Sequence, residues 1–459
     1  MRITIMGVLE MGALQKIGGK RLWRGVHVPE HKESTCHLPI RRMPFAPMLV
    51  TPLSQHTGAP AKAIVREGQE VVRGEPIAAA DGFVSVPMHA PATGRVERIA
   101  LAPSARGELT RAIYIRPYAS ASQEVLYGAP QEIEHMTPEE IVLAVQATGV
   151  VGLGGAAFPT HVKLKVPDGK HIDTVIVNGC ECEPYLTSDH RVMLEHPEQV
   201  LHGARVAMKA VGAARAIVGV EDNKMDAVEA LRKANGARTD KTAGISIEPV
   251  AAKYPQGAEK MLIKVLLGRE IPSGGLPADI GVGVFNVATL AQIGELLPRR
   301  QGLIERVVTI TGPGVAKPGN YLVALGTPIR WALEQAGCTD QAASVILGGP
   351  MMGASIGSFD VPITKGVTGI LVLTSRDSNA HIFPCIHCAS CVNICPMHLN
   401  PSQLGMLARK ERYGEMAAEY HLNDCFECGC CSYVCPAHIP LVQYFRVAKQ
   451  TNRKARARA

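Results

Sequence analysis

Apolar and polar positions change rhythm several times along this chain. From about residue 25 to 125, segments such as AIVREGQEVVRGEPIAA and VSVPMHAPATGRVERI alternate apolar and polar residues between glycine and proline turns. That alternation predicts small half-buried β-strands. From about 130 to 300 the period lengthens. TPEEIVLAVQATGV predicts a helix, with Thr137 as its N-cap and Pro138 at its first position. DTVIVNG reads as a short buried strand and EHPEQVLHGARVAMKAVG as an amphipathic helix. ARAIVGVED and ISIEPVAAKYP read as strands, each followed by a helix, NKMDAVEALRKANG and QGAEKMLIKVLLG. Strands alternating with helices predict a parallel sheet covered on both faces, a Rossmann-like α/β domain.

From about 305 to 375 the pattern shifts again. RVVTITG, YLVALGTPIRWALEQAGC and ASVILGGPMMG give strand, strand–turn–helix and strand, the outline of a β-grasp domain. Residues 376–445 hold two dense cysteine runs and two helical stretches, PSQLGMLARKERYGEMAAEY and PLVQYFRVAKQ, and a basic tail covers 446–459.

Composition narrows the function classes. The 459 residues are 46% hydrophobic and 19% charged, which allows several buried cores and argues against general disorder. Aromatic residues are 4%, against a nucleic-acid stacking surface, so no nucleic-acid partner is expected. Part of the net charge of +7 sits in RKARARA at 453–459, a solvated end or a contact for anionic lipid or an acidic partner. No stretch nears the ~20 apolar residues of a membrane span, so a chain soluble by itself is expected. The N-terminal stretch MRITIMGVLEMGALQKIGGKRLWRG lacks the pattern of a signal peptide. Thirteen cysteines in such a chain point to metal or redox chemistry.

Eight of those cysteines fall in CIHCASCVNICP and CFECGCCSYVCP, each with the spacing C-x2-C-x2-C-x3-C-P. Thiolates bind iron strongly, and a cubane cluster takes four. In this spacing three cysteines of a run serve one cluster and the fourth, before proline, serves the other. Cys385, Cys388, Cys391 and Cys435 are thus expected around one [4Fe–4S] cluster, and Cys395, Cys425, Cys428 and Cys431 around a second. Zinc and buried thiols are the alternatives. Zinc sites favour two well-separated ligand pairs, and zinc explains neither the C-P ending nor the duplication. Cys430 breaks the symmetry and is read as a bystander.

A second constellation lies in GLGGAAFPT, where Gly152, Gly154 and Gly155 permit φ > 0 and close approach to a ligand. Such a loop either only turns the chain or cradles a phosphate, with Lys163 and Lys165 following. It is neither the dinucleotide fingerprint nor a Walker loop. The next strand ends in NGCECEPYLTSDHRVM, which brings Asn178, Glu181, Glu183 and Asp189 to the end of a sheet where α/β folds bind ligands. YPQGAEK and FNVATL are two further loops of this kind.

Three resemblances follow from these residues. The run V-x-E-G-Q-x-V-x-x-G with A-P-A-T-G-x-V resembles the barrel-sandwich fold of lipoyl and biotinyl domains, but DGFVSVPMHAPATG carries no lysine to modify. GLGGAAFPTHVK, NGCECEPY, YPQGAEK and NVATL resemble, in order, the FMN- and NADH-binding segments of the flavin subunit of respiratory complex I. The whole chain resembles the RnfC (RsxC) component of the Rnf (Rsx) complex, also in GVHVPEHKE, SGGLPADIGV and VTITGPGVAKPGNY. That resemblance implies a multidomain α/β protein: a barrel-sandwich part at 25–125, an FMN-binding domain at 130–300, a soluble-ligand-binding β-grasp domain at 305–375 and a bacterial-ferredoxin-like two-cluster domain at 376–445.

The same resemblance implies a cytoplasmic subunit peripheral to the inner membrane. It would carry electrons between NAD(H), FMN and two [4Fe–4S] clusters in an ion-translocating ferredoxin–NAD oxidoreductase. Its partners would be integral-membrane and iron–sulfur subunits, with ferredoxin or flavodoxin served through the complex. Gly152, Gly154, Gly155 and Lys163 would hold the flavin phosphate. Asn178, Glu181, Glu183, Tyr254, Glu259 and Asn286 would surround the ring and nicotinamide. Cys180 and Ala258 stand where complex I relatives carry acidic residues, both on the nicotinamide side. Two other readings compete: a soluble NADH dehydrogenase or hydrogenase-type flavin subunit, and an iron–sulfur relay without nucleotide binding.

Overall fold

The computed structural model describes residues 22, 24–236, 244–338, 344–374 and 381–458. Residues 1–21, where no signal peptide is expected, lie outside that range. Among the described residues no helix is long and apolar enough to cross a membrane.

The alternating N-terminal pattern forms two small antiparallel sheets. Leu49–Pro52, Leu109–Pro117, Gly94–Pro103 and Glu70–Val71 make one, and Lys62–Ala63, Pro76–Ala79 and Met88–His89 the other. Their inward positions close a core around Leu53, Ile77, Val96, Ile113 and Ile115. The turn that lacks a lysine, Asp81–Val86, docks on the α/β domain. Gln146 Nε2 donates to Ser85 O at 3.0 Å, and His161 Nε2 lies 2.6 Å from Phe83 O.

The α/β domain has four parallel strands in the order Gly244–Val250, Arg215–Glu221, Thr174–Gly179, Val282–Asn286. Alternate residues of the central strands feed two layers. Val175, Val177, Val218 and Val220 pack toward the helices Pro138–Thr148, Pro197–Val211 and Val287–Leu296. Ile176 and Ile217 pack toward the helix Glu259–Leu267. Two helices of the first layer touch backbone to backbone, since a Cβ on Gly203 would lie 1.9 Å from Leu290 O. The first helix starts as expected: Thr137 Oγ1 accepts from Glu140 N, and the Glu140 carboxylate accepts from Thr137 N at 2.7 Å.

One expectation is corrected here. The loop after Thr174–Gly179 ends sooner, because Ser188–Glu195 is helical. Its cap is not adjacent in sequence: the Glu181 carboxylate accepts from Ser188 Oγ, Asp189 N and His190 N at 3.0–3.2 Å. Asp189 therefore stands in the first turn of a helix and not in a loop.

The β-grasp region forms a six-stranded mixed sheet with the helix Ile329–Gln335 on its core face. Two of its strands were not among the expected ones, the first inside the 305–375 span and the second outside it. Gly369–Leu373 runs parallel beside Glu305–Thr311, and Arg41–Arg42, from the N-terminal part, adds a parallel edge beside Tyr321–Leu322. In the last domain, PSQLGMLARKERYGEMAAEY breaks into Pro401–Arg409 and Tyr413–Ala418, and the final helix runs Leu441–Arg458. The duplication extends to the backbone: His387, Ala389 and His398 take positive φ, as do their counterparts Glu427, Gly429 and His438.

Residues 24–42 tie the domains together. Gly25 N donates to Ile394 O at 3.2 Å, Val26 bridges Tyr254, and the buried Lys32 donates to Glu181 O and Leu186 O, both at 2.6 Å.

Candidate flavin and iron–sulfur sites

The glycine loop closes on itself: Gly152 N donates to Phe158 O at 2.8 Å and Ala157 N to Gly152 O at 3.1 Å. At its crest the amides of Gly154, Gly155 and Ala156 have no protein acceptor among the described residues. Gly155 takes φ +119°, and a Cβ there would meet nothing within 4 Å. Three successive amides without a protein acceptor, on exposed residues, suit an anionic group such as a flavin phosphate. Behind the crest, Leu153 is held from both sides. Its N–H donates to Thr289 Oγ1 at 2.8 Å, and its carbonyl accepts from Arg306 Nη2 at 3.3 Å.

Lys163 follows on the short helix Thr160–Leu164 and pairs with Glu259 at 2.8 Å. Asn178 ends its strand; its Nδ2 donates to Gly257 O at 2.8 Å and its Oδ1 accepts from Cys180 N at 3.0 Å. Asn286 caps the helix Val287–Leu296 and donates to Asp189 Oδ2 at 2.6 Å. A Cβ on Gly154 would lie 3.4 Å from the Asn286 side chain, so the glycine loop and this cap are in contact. Burial first, then the neighbouring Glu181, pushes the Asp189 carboxyl up to about 7.

Three expected ring contacts point elsewhere. Glu181 caps the helix Ser188–Glu195. Glu183 crosses to the β-grasp domain, accepting from Met351 N at 3.1 Å and Met352 N at 2.7 Å. Tyr254 Oη donates to Cys428 O at 2.7 Å. Glu181 is held within its own segment, whereas Glu183 and Tyr254 are held by backbone groups remote in sequence. Burial pushes the Cys182 thiol up to about 12 and the Cys180 thiol upward as well, which favours the protonated form over the thiolate.

Sequence reasoning missed Arg306 and Lys365, which brace the glycine loop from behind. Arg306 donates to Lys365 O, and Lys365 Nζ donates to Gly149 O at 2.7 Å and Pro87 O at 3.0 Å. Burial draws Lys365 down to about 7 and Arg306 to about 10. One signal was available. On Glu305–Thr311, Arg306 shares the inward register of Val308 and Ile310, where a charge must have a partner.

The cysteines sort into two cavities, each drawing on both runs. Cys385, Cys388, Cys391 and Cys435 line the first, and Cys395, Cys425, Cys428 and Cys431 the second. Among the described residues no three ligating side chains meet at the spacing of a single ion. The thiols instead surround a space, and a four-iron cube is bound at its corners. Cys430 lines the second cavity too, but it is fully buried beside Tyr254. Cys388 and Ile386 are exposed, so the first cavity lies near the protein surface.

Comparison with known proteins fits each region. The RnfC barrel sandwich hybrid domain matches residues 20–119, the Nuo51 FMN-binding domain 145–295, the SLBB domain 307–355 and the 4Fe-4S dicluster domain 384–439. The chain is 43% identical to the RnfC-type component of the proton-translocating ferredoxin:NAD(+) oxidoreductase complex of Clostridium ljungdahlii, over 94% of each chain. It belongs to the RnfC family of the ion-translocating (Rnf) oxidoreductase complexes.

Other members of the RnfC family frame its size. The corresponding component of the Na(+)-translocating ferredoxin:NAD(+) oxidoreductase complex of Acetobacterium woodii is 41% identical, over 85% of this chain and 87% of that one. That of the ion-translocating oxidoreductase complex of Erwinia tasmaniensis is 40% identical over 94% of this chain but only 53% of its own length. Among solved structures, an NAD+-reducing [NiFe]-hydrogenase in the H2-reduced state shares the fold, with TM-score 0.50 and 21% identity over 69% of this chain and 63% of that one.

Proposed function

We propose that this chain is the peripheral electron-transfer subunit of a membrane-bound, ion-translocating ferredoxin–NAD oxidoreductase complex. It works as an oxidoreductase only inside that complex. The free amides of Gly154, Gly155 and Ala156, with Lys163, would hold the phosphate of FMN. Asn178, Glu259 and Asn286 would border the ring. Cys385, Cys388, Cys391 and Cys435 would hold one [4Fe–4S] cluster, and Cys395, Cys425, Cys428 and Cys431 the other. Bound there, FMN would link two-electron exchange with NAD(H) to one-electron exchange with the clusters.

The reading rests above all on one observation: the loop anchored to Asn178 is also anchored to Cys428. A flavin site and a four-thiol cavity thus share one short segment of backbone. The chain's own residues do three things. Lys365 and Arg306 brace the glycine loop from behind. Glu183 locks the α/β domain to the β-grasp domain. The buried Tyr254 and Cys430, with the half-buried Cys182 and Met351 packed against them, form an apolar cluster beside the second cavity. The exposed residues Ile386 and Cys388 beside the first cavity would offer the contact to integral-membrane or iron–sulfur partner subunits on the cytoplasmic face of the inner membrane. Ferredoxin or flavodoxin would be served through them. Ion movement would fall to the membrane subunits.

Anaerobic purification with iron, sulfide and FMN assays tests the reading. About eight irons and one FMN per chain are expected, with flavin absorbance bleached by NADH. Eight irons without flavin would leave only an iron–sulfur relay.

A further inference from the structure

The loop between Gly244–Val250 and Glu259–Leu267 is clamped at two points. Gly257 O accepts from Asn178 Nδ2 at 2.8 Å. Upstream, Tyr254 exchanges backbone bonds of 2.8 and 3.0 Å with Val26, and its hydroxyl donates to Cys428 O at 2.7 Å. Its side chain is buried, packed with Val26, Cys428 and Cys430, with Cys182 and Met351 against them. The segment has no room to slip: a Cβ on Gly257 would lie 2.4 Å from Cys180 O and 3.1 Å from Cys182 Sγ. A buried phenol must find an acceptor. The acceptor here is the backbone of a residue whose thiol lines the second cavity.

We propose that Tyr254 is a positioning residue for electron transfer: its hydroxyl fixes Cys428, and with it the cluster held by Cys395, Cys425, Cys428 and Cys431, against the flavin site. This rests on the function proposed above. The hydroxyl proton points at the carbonyl oxygen of Cys428, on the backbone that would carry this ligand of that cluster. Reduction adds one negative charge to the cluster, so this hydrogen bond stabilises the reduced cluster and raises its potential. The phenol stays protonated and is not itself oxidised; only an electron moves. The cluster in the other cavity has no such contact with Tyr254 and stays outside its influence.

Tyr254→Phe keeps the buried ring and deletes only the hydroxyl. The test uses the full chain, purified anaerobically, with an EPR-monitored redox titration of both clusters. The signal of the second cavity is identified by its alteration in Cys425→Ser. Iron and sulfide are expected at wild-type levels, with that signal titrating at lower potential and the other unmoved. Mixing with NADH should reduce that cluster about five-fold more slowly, the factor one hydrogen bond of ~1 kcal/mol supplies. Unchanged potentials, or an equal shift in both clusters, would overturn the proposal. The titration needs no flavin, so a wild-type chain that binds no FMN would sink the functional reading and leave this outcome still decisive for Tyr254.

Discussion

Lys163 and Glu259, remote in sequence, pair at 2.8 Å beside the glycine loop. Their side chains are 33% and 38% exposed, so the pair adds under ~1 kcal/mol to stability. In the proposed site an incoming phosphate would compete with Glu259 for the same ammonium, and so weak a pair would yield readily. Lys163→Ala should weaken FMN binding about ten-fold, the loss of one charge-assisted hydrogen bond. Glu259→Gln should leave the affinity equal or tighter. Fluorescence quenching as FMN is titrated into deflavinated protein reads both. Equal affinity in Lys163→Ala would place the phosphate away from this lysine.

Asp189 carries a pH dependence whose sign can be worked out. Its carboxyl is faced by Glu181, Arg306, Lys32 and the Asn286 amide, and burial with Glu181 lifts it to about 7. A free aspartate titrates near ~3.9. Between ~4 and about 7 the unfolded chain has released this proton while the folded chain keeps it. Stability from this group therefore falls as pH rises through that window, and is flat above it. Asp189→Asn keeps an acceptor for Asn286 and removes the titration. The variant's gain in Tm over wild type should grow from roughly pH 4.5 to pH 7 and then stop growing. A gap that is constant across that range would mean the carboxyl is not raised.

Glu183 separates a ring contact from an interdomain lock. Its carboxylate accepts from Met351 N and Met352 N, and a Cβ on Gly349 would lie 2.2 Å from Glu183 Oε2. Glu183→Gln should lower stability by ~1–3 kcal/mol, since an amide replaces one acceptor with a donor facing an N–H. FMN content should not change. Gly349→Ala should imitate it by forcing the same carboxylate out. Denaturation curves and flavin content together decide; lost flavin at unchanged stability would return Glu183 to the ring.

What could be read in advance was what short stretches encode. Thr137 and Glu140 lie three residues apart, so the capping box is visible in the letters and present in the fold. The alternation of Val175, Ile176 and Val177 assigns them to opposite layers of the sheet. The helix Ser188–Glu195 was hidden because it is polar and its cap, Glu181, sits upstream of the ordinary capping position. Tyr254–Cys428 and Arg306–Leu153 were hidden for a simpler reason. Each joins segments more than 150 positions apart, and no periodicity carries that information. The family resemblance named Glu181, Glu183 and Tyr254, but it carried no information on the backbone groups to which they are bonded.

The cysteine runs give the last prediction its form. Cys395 belongs by sequence to the first run, yet it lines the cavity of Cys425, Cys428 and Cys431. Cys435 belongs to the second run and lines the cavity of Cys385, Cys388 and Cys391. Ligand loss alters the cluster in which the thiolate sits, whatever its place in the chain. Cys395→Ala should therefore reproduce the EPR spectrum and iron loss of Cys425→Ala, and Cys435→Ala those of Cys388→Ala. The double variant Cys395→Ala/Cys425→Ala should damage one cluster and spare the other. Cys395→Ala/Cys388→Ala should damage both. If Cys395→Ala matched Cys388→Ala instead, each run would hold its own cluster, and the sorting of thiols between the cavities would have no counterpart in the metal-bound protein.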